Sequence, residues 1–172
     1  MEFSASLDTT AKTITTVVCI FFFVLCVWNF IAIRRAKGDK VNVAVRVVIT
    51  LLLIVAVWMA FRYSTKGYGI YGKTLVIKTH EKDMQLTYMQ IMDVRKVSDD
   101  EMKGLSRSFG FGGLFGYYGH YHNSTIGDMT FYATQQKNWV LIHTSDNRAL
   151  ILTPDMPDKF VYEVKAIITP NN

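Results

Sequence analysis

"FYATQQKNWVLIHTSDNRALILTPDMPDKFVYEVKAII", Phe131 to Ile168, changes its hydrophobic period partway along. Up to Thr153 it reads as strands: "MTFYAT" (Met129 to Thr134), "WVLIHT" (Trp139 to Thr144) and "RALILT" (Arg148 to Thr153) are rich in β-branched and aromatic residues. The links "QQKN" and "SDN" are short enough for hairpins. Beyond Pro154 the pattern is helical. Asp155 stands as candidate N-cap ahead of Pro157, and Phe160, Val164, Ile167 and Ile168 recur at helical spacing. A run of strands that closes with one amphipathic helix is the end of a small antiparallel domain.

Working upstream, the same texture extends back to Tyr68. "KTLVIKTH" (Lys73 to His80), "MQLTY" (Met84 to Tyr88), "DVRKVS" (Asp93 to Ser98) and "YGHYHN" (Tyr118 to Asn123) each suit a strand. The spacing predicts an antiparallel meander closing into a barrel or sandwich over residues 68–168, with 169–172 as a tail.

Before Tyr68 the chain is of another kind. Residues 1–12 read as a tail. "ITTVVCIFFFVLCVWNFIAI" (Ile14 to Ile33) carries no charge over 20 residues, which at about 1.5 Å per residue matches a hydrocarbon core of about 30 Å. It predicts a transmembrane helix over 13–33. "VNVAVRVVITLLLIVAVWMAF" (Val41 to Phe61), with Arg46 as its one charge, predicts the return helix over 41–61. A signal peptide does not fit the first run, which is too long and is followed by Arg34-Arg35 rather than a small-residue cleavage site. The link at 34–40, "RRAKGDK", allows only a tight hairpin, so both chain ends lie on one side. Cys19 and Cys26 fall within the first run and read as packing residues, leaving no disulfide framework and no thiolate metal site.

The net charge of +5 and pI near 9.2 do not point to nucleic acid, because of where the charge sits. Arg34, Arg35, Lys37 and Lys40 crowd the link, and Arg46 is near enough to snorkel to the same interface. By the positive-inside rule the link is cytoplasmic and the C-terminal domain extracytoplasmic. Lys12, Arg62, Lys66 and Lys73 at the other helix ends oppose this, but less densely.

"GFGGLFGYYGHYH" (Gly110 to His122) is the stretch with the most competing readings. Its G-x-G-x-x-x-G spacing and lack of a following Lys-Ser/Thr exclude a nucleotide loop. His120 and His122 would share a strand face and are the candidate metal ligands, with His80 and His143 on other strands; two ligands fall short of the usual three or four. As architecture, the glycines permit the positive φ and close backbone approach of a tightly curved sheet. As a recognition loop, Arg107, Phe109, Phe111, Phe115, Tyr117 and Tyr118 would meet lipid headgroups or a partner protein, with Lys103, Lys73 and Lys78 adding charge. Asp99, Asp100 and Glu101 read as a solvated turn or helix start, and Asn123-Ser-Thr as a glycosylation sequon. No nucleophile elbow, His-Glu-x-x-His or Cys–His pair points to catalysis.

The run from about Tyr68 to Ile168 resembles a bacterial pleckstrin-homology-like domain. The resemblance is carried by "LTYMQIMDVRKV", "RSFGFGGLFGYYGHY", "FYATQQKNWVLIHTSDNRALILTP" and "PDMPDKFVYEV", in that order. It implies an α+β protein: a transmembrane helical hairpin followed by an antiparallel PH-like barrel capped by a C-terminal helix, in the bacterial inner membrane. The function expected is non-catalytic binding of a protein, peptide or lipid, with no cofactor. The alternative is an accessory subunit of a membrane complex whose helices make the specific contacts. A histidine-metal hydrolase stands third.

Overall fold

The computed structural model describes residues 1–35 and 40–169. In chain order the elements are β1 (Glu2–Ser4), α1 (Thr9–Arg35), α2 (Lys40–Arg62), β2 (Thr65–Tyr71), β3 (Thr74–Thr79), β4 (Met84–Thr87), β5 (Ile91–Lys96), β6 (Ser106–Gly112), β7 (Tyr117–Asn123), β8 (Gly127–Ala133), β9 (Val140–Thr144), β10 (Ala149–Leu152) and α3 (Pro157–Ile168). Helices α1 and α2 have 27 and 23 residues and are long and apolar enough to cross a membrane. A core helix of the same composition would be mostly buried, whereas 0% of the most apolar window of α1 and 6% of that of α2 is covered. Arg34, Arg35 and Lys40 of the basic link fall in the helix ends, while Lys37 lies outside the described residues.

The strands form two sheets, in the orders β1-β2-β3-β4 and β5-β9-β10-β8-β7-β6. The chain passes from one to the other at a single-turn 3₁₀ segment, Tyr88–Gln90. There the Gln90 side chain takes the Thr87 N–H at 2.9 Å, a group that would otherwise continue the ladder of β4. Among the described residues the ladder is therefore two open sheets and not a closed barrel.

Central strands β9 and β10 are apolar almost without interruption because both faces of the larger sheet are covered. Val140, Ile142, Leu150 and Leu152 point into one core, shared with Tyr68, Leu75 and Ile77 of the smaller sheet and with Phe160 and Val164 of α3. Leu141, Ala149 and Ile151 point into a second core with Tyr117, Tyr121, Phe131 and Trp139. Ala11 of α1 and Met102 of the loop after β5 cover that second core.

Three expectations need correction. The domain is not wholly antiparallel, since β8 pairs parallel with β10, Ala149 lying opposite Met129. "QQKN" is accordingly no hairpin: Gln135 is buried with its Nε2 donating to the Thr153 carbonyl at 3.2 Å, and the segment carries the chain past β10 to place β9 beside β5. Asp155 is not the helix cap. Met156 holds that position, with Pro157 at the first turn, and the Asp155 carboxylate instead accepts from the Ser6 N–H at 3.0 Å and the Ser6 hydroxyl at 2.8 Å. Strands β1, β2 and β6 were not expected from the sequence; β1 comes from the stretch read as a tail, and its Phe3 ring meets Phe160 edge-on at 5.1 Å.

Tyr68 joins the two sheets. Its ring is buried, its hydroxyl donates to the Tyr132 carbonyl at 2.6 Å, and it accepts the Thr153 N–H at 3.0 Å. Burial pushes its ionisation far up. Tyr68→Phe would leave two buried backbone groups unpaired, and is expected to lower unfolding stability by about 1–3 kcal/mol, measured by denaturant titration with detergent held constant.

Candidate functional site

The first turn of α1 is built into the domain. Asp8 is its N-cap: one carboxylate oxygen accepts the Ala11 N–H at 2.6 Å. The other accepts the Gln136 N–H at 2.9 Å and lies 3.4 Å from the Tyr117 hydroxyl. The Asp8 N–H itself donates to the Thr134 carbonyl at 3.2 Å. Burial and the neighbouring Asp8 charge push the Tyr117 phenol up to about 12, so it stays a neutral donor.

Seven residues on, Thr15 holds the turn of the glycine-rich stretch. Its hydroxyl accepts the Phe115 N–H at 2.9 Å and donates to the Gly113 carbonyl at 3.3 Å. Phe115 adopts φ 55°, a left-handed conformation that a bulky side chain occupies at a cost of about 1–3 kcal/mol unless its surroundings hold it. The surroundings here are Thr15 and the Phe61 ring near the end of α2, which meets Phe115 edge-on at 5.5 Å. Phe61 also lies 4.2 Å from the His80 ring, and the Ser64 hydroxyl lies 2.9 Å from His80 Nδ1. Arg62 adds an ion pair with Glu81 at 3.0 Å.

Within the stretch, Gly110 and Gly119 face each other across β6 and β7 with φ 115° and 127°. A side chain at either would fall on the opposite backbone, on Tyr118 or Phe109 respectively. This is the close approach that the glycines permit. The residues expected to act as one recognition loop are divided between two faces. Burial alternates along β7, and directly opposed residues share a face. Arg107, opposite Tyr121, lies on the side of the second core with Tyr117. Phe109 and Phe111, opposite His120 and Tyr118, lie on the other side. Tyr118 stacks on Tyr63 at 5.3 Å, just past α2.

A groove of about 710 Å³ opens into the second core between α1 and the larger sheet. Thr10, Ile14, Tyr117, Tyr121, Phe131 and Trp139 line it, with Gln136 and Gly112 between them. Arg107 stands at its lip within hydrogen-bonding reach of the Tyr121 hydroxyl, and Met102, Leu105 and Asp99 form the wall from the loop after β5. That loop is braced. Glu101 pairs with Arg95 at 2.8 Å and accepts the Ser98 N–H, which hold its carboxyl down at about 2. Asn123 is buried, donates to the Glu101 carbonyl at 2.7 Å and accepts the Ile126 N–H at 2.8 Å. The sequon asparagine is thus a structural clamp, and the acidic run is a turn.

The other candidates disperse. His120 Nδ1 lies 3.3 Å from the Thr130 hydroxyl and His122 Nδ1 lies 2.8 Å from Asp128. Among the described residues no three His, Cys, Asp or Glu side chains stand close enough to hold a metal ion. Lys103 pairs with Asp100 and Lys78 with Glu2, both at 2.6 Å, and Lys73 lies over the Tyr88 ring. Arg46 reaches Asn29 Oδ1 at 3.5 Å, between the helices, and Arg34 lies over the Phe30 ring at 5.0 Å.

Asp8 and Thr15 were not among the residues singled out from the sequence. Asp8 was open to recognition, as a capping residue directly ahead of a helix. Nothing local marks Thr15, whose partners are about a hundred positions away. Thr15→Val should speed amide exchange at Phe115 about tenfold, the equivalent of one lost hydrogen bond, whereas Thr15→Ser should leave it unchanged.

Comparison with curated proteins finds no match, nor does comparison with solved structures. The family described as "Bacterial PH domain" matches residues 66–168, from β2 to the end of α3. That is more than half of the chain, and the protein belongs to the bacterial PH domain family.

Proposed function

We propose that the protein is an integral membrane protein with two spans, whose PH domain is a non-catalytic binding module held flush against the bilayer by its own helices. One observation carries this reading: Thr15, the second residue of the uncharged run, is hydrogen-bonded to the turn of the glycine-rich stretch. Phe61, at the far end of the returning helix, packs on the same turn. If the apolar runs span the bilayer, Gly113–Phe115 sits at the headgroup level, with Tyr63 and Tyr118 stacked nearby as interfacial aromatics. The ligand is then a lipid, peptide or protein met at that surface.

The basic link assigns the domain to the extracytoplasmic side of a bacterial inner membrane. The test is a Cys19→Ser, Cys26→Ser protein with one new cysteine at Ser145, in the exposed turn between β9 and β10. Ser145 is preferable to neighbouring Asn147, whose φ of 61° favours asparagine. Labelling of intact cells by an impermeant thiol reagent is expected. Labelling only after the cells are opened would place the domain in the cytoplasm.

A second reading, an accessory subunit that binds through its helices, is favoured by the polar pair Arg46 and Asn29 between two helices that are otherwise exposed. Replacing residues 17–58 with an unrelated apolar hairpin leaves Asp8, Thr15 and Phe61 in place. On the first reading, the cross-links formed by the PH domain survive this exchange; their loss would transfer recognition to the helices.

A further inference from the structure

We propose that the groove between α1 and the larger sheet is a binding site for one anionic phospholipid, drawn from the leaflet that faces the domain. The proposal rests on the reading of α1 as a span and adds the ligand and its place.

Three observations converge on it. First, the groove has the size of small-molecule sites, about 710 Å³ against a usual range of about 300–1,000 Å³, and its floor is apolar: Phe131 and Trp139 belong to the second core. Second, its charge is placed for an anion. Lys78, Lys96, Lys103, Arg62, Arg95 and Arg148 all have carboxylates within 3.0 Å, but no ion pair among the described residues includes Arg107. Its guanidinium rests instead near the neutral Tyr121 hydroxyl, over a glycine. A β-carbon at Gly112 would come within 2.5 Å of the Arg107 Nη1, so the absent side chain is what lets the guanidinium lie across the mouth. A planar guanidinium free of a carboxylate is suited to a phosphodiester.

Third, the groove is continuous with the membrane surface. Ile14 is both a lining residue and the first residue of the uncharged run, and Gly112 adjoins the turn fixed to Thr15. A lipid entering at that end needs no aqueous transfer of its chain, which a soluble ligand of equal polarity would not exploit. Asp99 stands on the opposite wall, on the braced loop, and bears no ion pair among the described residues. It disfavours an anion lying deep in the groove and so places the phosphate at the Arg107 lip with a chain over Phe131.

The groove contains its own reporter. Trp28→Phe and Trp58→Phe leave Trp139 as the single tryptophan of the full chain. This protein is placed in phosphatidylcholine nanodiscs containing a minor fraction of either phosphatidylglycerol or phosphatidylcholine with brominated chains. Trp139 should be quenched at a mole fraction about tenfold lower by the brominated anionic lipid than by the brominated zwitterionic one. Arg107→Gln should abolish that difference, Arg107→Lys should keep part of it, and Gly112→Ala should weaken it by displacing the guanidinium. Unbrominated phosphatidylglycerol should reverse the quenching, and glycerol phosphate in solution should not. Equal quenching by the two lipids, an Arg107→Gln protein that still discriminates while its near-ultraviolet dichroism is unchanged, or reversal by glycerol phosphate would each overturn the proposal. Failure of the membrane reading shows separately, as protein that does not co-elute with the nanodiscs.

Discussion

The carboxylate of Asp8 does two things that are normally done by separate residues. It terminates a helix that has no apolar partner in the protein, and it accepts hydrogen bonds from the domain, so the direction in which α1 leaves is fixed by the geometry of one side chain. Helix capping is worth about 1 kcal/mol in ordinary settings, too little to hold a long helix against a globular domain. What makes the arrangement rigid is that the same turn is gripped again at Ala11, buried in the second core, and at Thr15. Three consecutive turns of one helix thus meet three different kinds of contact: charge-assisted hydrogen bonds, apolar packing and a bridging hydroxyl.

The glycine-rich stretch finds its place in that frame. Gly110 and Gly119 let β6 and β7 approach closely, and Gly113 leaves room for Ile14, whose side chain a β-carbon there would meet at 2.6 Å. Its aromatics do not act together. Tyr117 and Tyr121 complete the second core, while Tyr118 joins Tyr63 and Tyr132 on the outer face. Architecture and recognition, which the composition offers as alternatives, are both served, by residues of opposite parity along the same strand.

Much of this was legible in the sequence because it depends on local pattern. The two apolar runs, seven of the strands and the closing helix follow from period and turn chemistry, as with "SDN", which does join antiparallel neighbours β9 and β10. What escaped depends on long-range pairing. The uninterrupted "VLI" of β9 and "ALIL" of β10 show that both faces are buried but cannot say which strand lies alongside, and the parallel partnership of β8 with β10 is set by the buried Thr134, Gln135 and Thr153. β2 went unread because its glycines and lysine dilute the pattern, and β1 because three residues give none. The site divided in the same way. Arg107 and Tyr117 stood out by type, but Trp139, Phe131 and Ile14 looked like ordinary core or membrane residues until the fold set them around one opening.

The covered faces of the six-stranded sheet have a mechanical meaning. Helix α1 is embedded, through Ala11, in the core on one face of that sheet, whereas α2 runs directly into β2, whose Tyr68 and Ile70 belong to the core on the other. The two arms of the hairpin therefore hold the sheet like the jaws of a clamp. Spreading them loads it from opposite sides, with Tyr68 on one path and Asp8 on the other, so that a change in the tilt of the helices reaches the interior of the domain as shear and not as a rigid turn of the whole body.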